Sequence, residues 1–353
     1  MLKKIDWESQ IGRRLKLRDL YVFVTVVQHG SMAKAAQQLG VAQPSVSEVI
    51  ADLEHVLGVR LLDRRPQGVE PTMYGGTLVR RSVAVFDELK QTVRDIEFMS
   101  NPTSGEVRIG CQESIAAAIL PSAIHRFSQT YPRVVLHVEQ LGSLTLQTSA
   151  LRERRLDVAV FRFVKPLADE YFADDLNVEV LFHDQLVVAT GTQNRWAHRR
   201  KVDLAELMDE PWILTEPDTW NYLRVAEAFR VRGLDVPKIT LVTLSTHLRA
   251  NLAATGPYIT TFPKSTFDLY SSRFSLKALP IQLSPAPWPV VLVTLKNRTL
   301  SPVVERFVEH VRNFTKTAAS QQPPGAFNSV KSPILASGGQ RRGRRVRDGG
   351  ERK

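Results

Sequence analysis

Three short amphipathic helical patterns, crowded between residues 20 and 57, constrain this chain more than any other feature. Apolar residues recur at the i, i+3, i+4, i+7 spacing of one helix face, starting at Leu20, at Met32 and at Val46. Gly30 follows the first pattern, where a glycine can close a helix, and Pro44 stands at a first-turn position of the third. Helices this short are not stable alone, so the patterns predict that the three share one small core.

The third predicted helix keeps a small polar face away from that core. Once the apolar stripe is buried, Pro44, Ser47 and Glu48 remain on the opposite side, flanked by Gln43 and Ser45. A helix-turn-helix places such a face in the DNA major groove, where Gln, Ser and Glu can bond base edges. A helical bundle whose polar side merely faces water fits the three helices equally well.

A predicted β-ribbon follows the helices. Residues 57–72 contain two apolar runs that flank a Pro-Gln-Gly turn, and they carry the arginines Arg60, Arg64 and Arg65. This arrangement is typical of a wing that contacts DNA phosphates. The ribbon therefore favours a winged helix-turn-helix over a plain bundle.

Residues 31–75 resemble the N-terminal motif of the LysR-type bacterial transcriptional regulators. The resemblance is carried, in the order and spacing of that family, by Ser31, Ala35, Ala36, Leu39, Gln43, Pro44, Ser47, Ile50, Leu53, Glu54, Leu57, Gly58, Leu61, Arg64, Thr72 and Gly75. Ala42 departs from the usual capping Ser or Thr, and Glu48 from a frequent Arg. Glu48 could accept from a cytosine amino group or repel phosphate. We expect DNA contacts from Lys34, Gln43, Pro44, Ser45, Ser47, Glu48, Arg64 and Arg65.

One long helix over residues 73–100 is predicted after the ribbon, with Thr72 as its cap. Apolar residues recur along it in heptads, at Val79, Phe86, Leu89, Val93 and Ile96. Such a seam is suited to pairing with an identical helix, although it could equally be ordinary domain core. In the resembled family this is the linker helix that forms a homodimer, which then contacts two DNA half-sites.

The remainder of the chain alternates predicted strands and helices in two rounds, over residues 107–161 and 185–261, which is typical of α/β sheets with helices on both faces. Residues 276–279, 290–295 and 301–314 are expected to return to the first sheet. The resulting two lobes, about 105–183 with 265–314 and about 184–264, resemble a periplasmic binding protein, the effector domain of the family. The predicted domains are a winged helix-turn-helix (1–72), the linker helix (73–100), the effector domain (101–314) and a disordered basic tail (315–353).

Further short motifs in the effector domain resemble a subgroup that includes the galactose-binding-protein regulator and some aromatic-acid catabolic regulators. They are Pro211-Trp212-Ile213-Leu214, Ala228-Phe229 with Gly233-Leu234, and Leu300-Ser301-Pro302. The net charge of +11 says less, because the predicted tail holds nine basic and two acidic residues and so contributes +7 of it.

An effector is expected at the carboxyl ends of the parallel strands, where α/β sheets hold ligands. The candidate residues there are Gln112, Glu113, Ser114, Ser143, Arg162, Thr215, Ser245, Thr246 and Thr260. In this interpretation Arg162 pairs with a carboxylate or with sugar hydroxyls. The alternatives are ordinary helix capping by the Ser and Thr residues, and a structural ion pair between Arg162 and a carboxylate such as Asp157.

Other functional classes find little support in the sequence. There is no phosphate-binding glycine loop, no HExxH and no paired CxxC, so we expect no catalytic residue, metal or cofactor. A single cysteine, no signal peptide and no apolar run of membrane-span length predict a cytoplasmic protein without a membrane partner. The alternative is a solute-binding or enzyme-like α/β protein with incidental DNA affinity.

The LysR resemblance also implies the partners of the chain. They are double-stranded DNA, a small-molecule effector and a second copy of the chain. A homotetramer formed through the effector domains is usual for the family, and RNA polymerase is a further candidate partner.

Overall fold

The computed structural model describes residues 14–66, 68–142, 144–162, 175–283 and 287–321. The N-terminal core is built by α1 (Leu17–His29), α2 (Met32–Leu39) and α3 (Gln43–Leu57), as the three patterns predict. Gly30 closes α1 with a left-handed backbone (φ 61°), and the Ser31 side chain caps α2. Pro44 lies in the first turn of α3, where Ala42 provides no side-chain cap.

The predicted ribbon is present as β1 (Leu62–Arg65) and β2 (Gly68–Pro71), paired antiparallel. Glu54 fixes its base, because Oε1 accepts the N–H groups of Leu61 (2.7 Å) and Leu62 (3.2 Å). A Cβ added at Gly68 would stand 2.2 Å from the Gly30 carbonyl oxygen, so only glycine fits there. The ribbon is thereby held against the turn between α1 and α2.

The long helix α4 (Met73–Ser100) begins where Thr72 accepts the N–H of Gly75 at 3.1 Å. The predicted heptad seam is divided between two environments. Val79 and Phe86 pack on the N-terminal core, and the Phe86 ring meets Tyr21 edge-on at 5.8 Å. Phe86 is thus half-buried against the core of its own chain, and its expected part in an intermolecular seam stays a prediction.

The second half of the seam is open to solvent. Leu89, Val93 and Ile96 are 46%, 54% and 59% exposed. A third face of α4, with Asp87 and Gln91, is buried against the effector domain.

A buried ionic cluster, called here the linker–lobe cluster, holds that third face. Asp87 accepts hydrogen bonds from Arg154 (2.7 Å) and from Arg298 (2.8 and 3.1 Å). Arg298 also donates to Asp157 (2.8 Å) and to the Leu156 carbonyl (2.6 Å). Asp87, Asp157 and Arg298 are each less than 10% exposed, so every charge depends on its partners for solvation.

The effector domain consists of two lobes. The first lobe begins with β3 (Ser104–Cys111), α5 (Glu113–Ala118), α6 (Leu120–Thr130), β4 (Arg133–Gln140), α7 (Leu144–Arg152), β5 (Val158–Arg162) and β6 (Leu176–Asp184). The second lobe contains β7 (Leu186–Gly191), β8 (Trp212–Leu214), α8 (Trp220–Arg230), β9 (Ile239–Val242), α9 (Thr246–Thr255), β10 (Ile259–Pro263), α10 (Lys264–Ser271) and β11 (Leu276–Ala278). The chain returns to the first lobe with β12 (Trp288–Leu295) and α11 (Pro302–Gln321).

Each lobe has one mixed five-stranded sheet with apolar cores on its faces. The orders are β4-β3-β5-β12-β6 and β11-β7-β10-β8-β9. The β3–β4, β3–β5, β8–β9 and β8–β10 pairs are parallel, whereas the remaining pairs are antiparallel. The carboxyl ends of the parallel strands therefore lie at one edge of each sheet.

Three sequence expectations need correction. Residues 276–279 do not return to the first sheet, because α10 turns the chain back and β11 pairs with β7 in the second lobe. The helix expected from Leu204 is a single 3₁₀ turn, Leu204–Leu207. The last helix continues seven residues past 314, and Thr315, which lies in this extension, is buried. Residues 322–353 of the predicted tail lie outside the described residues.

We predict that Asp87→Ala lowers the free energy of unfolding of the effector domain by about 3–5 kcal/mol, because it removes the carboxylate that the guanidinium groups of Arg154 and Arg298 share in a buried site. Glu88→Ala is the matched control, because Glu88 is 49% exposed and its pair with Arg154 should contribute less than about 1 kcal/mol. Calorimetric melting of both variants measures the difference. Equal melting temperatures for the two variants would contradict the structural role of the cluster.

Candidate functional site

The polar face of α3 is open to solvent. Gln43, Pro44, Ser45 and Glu48 are all exposed, whereas Val46 on the other side of the helix is buried in the N-terminal core. Lys34 is exposed on α2. These side chains are therefore accessible to a double helix.

Ser47 is the exception on this face. It is only partly exposed, and its hydroxyl donates to the Met32 sulfur at 3.3 Å. Part of its role is thus to join α3 to α2. The sequence did not indicate this contact.

The wing presents two arginines. Arg64 and Arg65 are exposed on β1, and Arg65 pairs with Glu70 at 2.9 Å, each side chain being 58% exposed. So exposed an ion pair is weak, and the Arg65 guanidinium can exchange it for a phosphate.

A cavity of about 380 Å³ lies between the two lobes of the effector domain. Six of the predicted effector residues line it: Gln112, Glu113, Ser114, Thr215, Ser245 and Thr246. Sequence reasoning missed other lining residues, among them Gln140, Thr219, Trp220, Asn221 and Arg249. The structure thus brings together residues from the strand ends of both sheets. Of the three other predicted residues, Arg162 and Thr260 do not line the cavity.

Ser143 lies outside the described residues. Thr260 is fully buried and donates to the Ile213 carbonyl at 2.7 Å, so its hydroxyl is used within the second sheet. Ser245 lines the cavity and also caps α9 by accepting the Leu248 N–H at 3.2 Å. The capping alternative therefore holds for Ser245 without removing it from the cavity wall.

Arg162 does not reach the cavity. Its side chain is fully buried and donates to Asp184 (2.8 Å) and to the Ser114 and Ser265 hydroxyls (2.8 and 3.1 Å), while its guanidinium lies over the Trp220 ring. Burial lowers the pKa of Arg162, and the charge of Asp184 opposes that shift. Arg162 is a structural partner of Asp184, the last residue of β6, and not of Asp157.

Glu113 forms a contact across the cleft. Its Oε2 accepts the N–H of Thr246 at 3.1 Å, which joins α5 of the first lobe to α9 of the second. Burial raises the pKa of the Glu113 carboxyl, while the Thr246 N–H and the charges of Arg249 and His247 lower it. This hydrogen bond holds the lobes together beside the cavity.

Arg249 is the cation of the cavity wall. It is 2% exposed, and burial lowers its pKa to about 10 despite the opposing charge of Glu113. The available signal was its position among Thr246, Ala250 and Ala253, which share the buried face of α9. A lone arginine on an otherwise small and apolar helix face indicates a buried polar site.

No group of three or more His, Cys, Asp or Glu side chains among the described residues is arranged to hold a metal ion. Within the same ranges, no helix has both the length and the apolar character needed to cross a membrane. Cys111 is buried on β3, and burial raises the pKa of its thiol to about 12.

Two family models match the chain over nearly all of its described length. "Bacterial regulatory helix-turn-helix protein, lysR family" matches residues 17–76. "LysR substrate binding domain" matches residues 100–316. The first match ends near the start of α4, and the second begins at its last residue.

Known regulators match this chain across both of these regions. The chain is 27% identical over 290 residues to the regulator GbpR of Azospirillum brasilense, covering 82% of this chain and 83% of that one. It is 28% identical over 314 residues to BenM of Acinetobacter baylyi, covering 88% of this chain and 99% of that one. The solved structure of CbnR with its target DNA superposes on this chain with a TM-score of 0.59 at 20% identity, and the match covers 85% of this chain and 100% of that one. At this identity the likeness supports the fold alone. These matches do not favour the solute-binding or enzyme-like alternative.

We predict that Arg162→Ala destabilises the effector domain by about 3–5 kcal/mol, because it leaves the Asp184 carboxylate buried without a counter-charge. Arg155→Ala is the control, since Arg155 is 47% exposed and its pairs with glutamates should contribute at most about 1 kcal/mol. Thermal melting without added ligand compares the two. A melting temperature for Arg162→Ala that matches the control would restore its earlier assignment as a ligand contact.

Proposed function

Because the chain belongs to the LysR family of bacterial transcriptional regulators, we propose that it binds operator DNA through α3 and the wing under control of a small molecule in the interlobe cleft. The family is one of regulators and not of enzymes. The observation that carries the proposal is the exposed polar face of α3 beside the arginines of β1. We place its action on DNA in the cytoplasm, with no catalytic step.

Base recognition is assigned to the exposed end of α3. Gln43 can bond an adenine through two hydrogen bonds, and Ser45 can bond either partner of a base pair. Glu48 is exposed beside them and suits a cytosine amino group. Lys34, Arg64 and Arg65 carry the charge that fixes the protein on the phosphates, while Ser47 and Pro44 shape the helix start.

Dimer formation is assigned to the second half of α4. Leu89, Val93 and Ile96 form an exposed apolar stripe that nothing within the described chain covers. A second copy of α4 would bury it at coiled-coil spacing. Tetramers through the effector domains, and contact with RNA polymerase, come from the family alone.

The effector is assigned to the cavity between the lobes. Its walls combine hydroxyls, amides and charged groups from both lobes, so a ligand there contacts both at once. Binding can shift the lobes only through different affinity for their arrangements. A ligand in the cleft would lie beside the hydrogen bond that the Thr246 N–H donates to Glu113 across the lobes.

The proposal predicts that Gln43→Ala and Ser45→Ala weaken binding to operator DNA by about 1–3 kcal/mol while leaving random DNA nearly unaffected, because they remove base contacts. Arg64→Ala should weaken binding to both and reduce the salt slope by about one unit. Fluorescence anisotropy at several salt concentrations, on the DNA flanking the gene and on a random duplex, measures both effects. Gln129→Ala, exposed on α6, is the control. Equal losses on the two duplexes for Gln43→Ala would remove the α3 face from base recognition.

The proposed dimer predicts that Leu89→Asp and Ile96→Asp each raise the dimer dissociation constant at least about tenfold, because a buried unpaired carboxylate costs several kcal/mol. Val231→Asp adds the same charge at a site that is 70% exposed in the second lobe, and it should leave the dimer intact. Sedimentation velocity gives the dissociation constants. Dimers of parental stability in both α4 variants would place the interface elsewhere.

A further inference from the structure

The charges of the interlobe cavity are balanced. Among the lining residues within the described chain, Glu113 is the one anion and Arg249 the one cation. Each acts electrostatically on the other. A ligand with a net negative charge would have to lie beside the desolvated Glu113 carboxylate, whereas a ligand with internally balanced charges would not.

Arg249 has an unused hydrogen-bonding edge. Its Nη1 donates to the Thr261 carbonyl at 2.6 Å, and its Nη2 reaches the Thr246 hydroxyl at the long distance of 3.4 Å. The buried Nε has no acceptor. Nε and Nη2 form the edge of a guanidinium that binds carboxylates through two parallel hydrogen bonds. A buried N–H without an acceptor is costly, and a ligand carboxylate at this edge would satisfy it.

Glu113 has an unused hydrogen-bond acceptor. Its Oε2 accepts the Thr246 N–H, while its Oε1 has no donor among the described residues. A carboxylate is an acceptor only, so the group that satisfies Oε1 must be a donor, and an ammonium is the strongest. Thr246 contacts both Glu113 and Arg249, and both charged residues line the cavity.

We propose, on the premise that this cleft is the effector site, that the effector is an amino-acid-type zwitterion. Its carboxylate binds the Nε–Nη2 edge of Arg249 and its ammonium binds Oε1 of Glu113. An α-amino acid carries both groups on one carbon, which matches charged residues that share Thr246 as a neighbour. The cavity of about 380 Å³ is at the small end of ligand sites and leaves room for one side chain near Trp220.

The test uses the full-length protein and a matched panel. Thermal melting is recorded with each common L-amino acid at about 10 mM, beside the carboxylic acid that lacks its amino group and the amine that lacks its carboxylate. At least one amino acid should raise the melting temperature, since a ligand specific for the native state stabilises it. Its two partners should bind at least about tenfold more weakly, each having lost a charge-assisted interaction.

Two variants test the assigned contacts. Glu113→Gln keeps the shape of the side chain but loses the charge, so the preference for the amino acid over its matched acid should fall about tenfold or more. Arg249→Lys keeps a positive charge but loses the bidentate edge, and should weaken amino-acid binding. Glu153→Gln, 58% exposed at the end of α7, is the control and should change neither. Melting without ligand verifies that each variant is folded.

The possible results distinguish an error in the class of ligand from an error in the location of the effector site. If no amino acid stabilises the protein, or if an acid or a neutral sugar stabilises it as well as any amino acid, the zwitterion assignment is overturned. When such a ligand is weakened by Asn221→Ala, the cleft remains the effector site and only its ligand class was wrong. When no ligand responds to Asn221→Ala or Glu113→Gln, the proposed role of the cleft fails as well.

Discussion

The carboxylate of Asp87, buried between the guanidinium groups of Arg154 and Arg298, is the interaction on which the organisation of this protein depends. It lies on the helix that also packs against the DNA-binding core through Phe86. Separating α4 from the first lobe would break both ion pairs of Asp87 and uncover the surface that buries them. The linker helix therefore packs against both domains, through Phe86 on one and Asp87 on the other.

A second buried pair, Arg162 with Asp184, performs the same task where the chain crosses between the lobes. Its contacts to Ser114 and Ser265 attach residues of both lobes to the crossover. The contact from Glu113 to Thr246 is different in kind, because it is one hydrogen bond on the wall of an open cavity. Strong ionic contacts thus lie at the crossover, and a weaker one lies where a ligand can compete for it. This distribution suits a clamp that responds to a small molecule.

The sequence predicted those parts of the fold that depend on local patterns. Helical periodicity, Gly30, Ser31 and the Pro-Gln-Gly turn act within a few residues, so the N-terminal domain was predicted closely. The packing of Phe86 against Tyr21 was not, because Tyr21 meets it from 65 positions away. Arg162 was placed at the correct strand end, but its ion pair with Asp184 depends on β6, a strand that the sequence did not indicate. Likewise Arg249 becomes part of a site only when α9 faces α5.

Recognition of DNA sequence by a two-fold dimer of this chain through α3 can be tested directly. Selection of bound duplexes from a random pool by the full-length protein tests it without knowledge of the operator. We predict enrichment of an inverted repeat whose half-site centres are about 10 base pairs, or a multiple of that, apart, with the enriched bases altered when Gln43→Ala replaces the parent. A pool that remains unenriched over successive rounds, or the same enriched sequence from parent and variant, would contradict it.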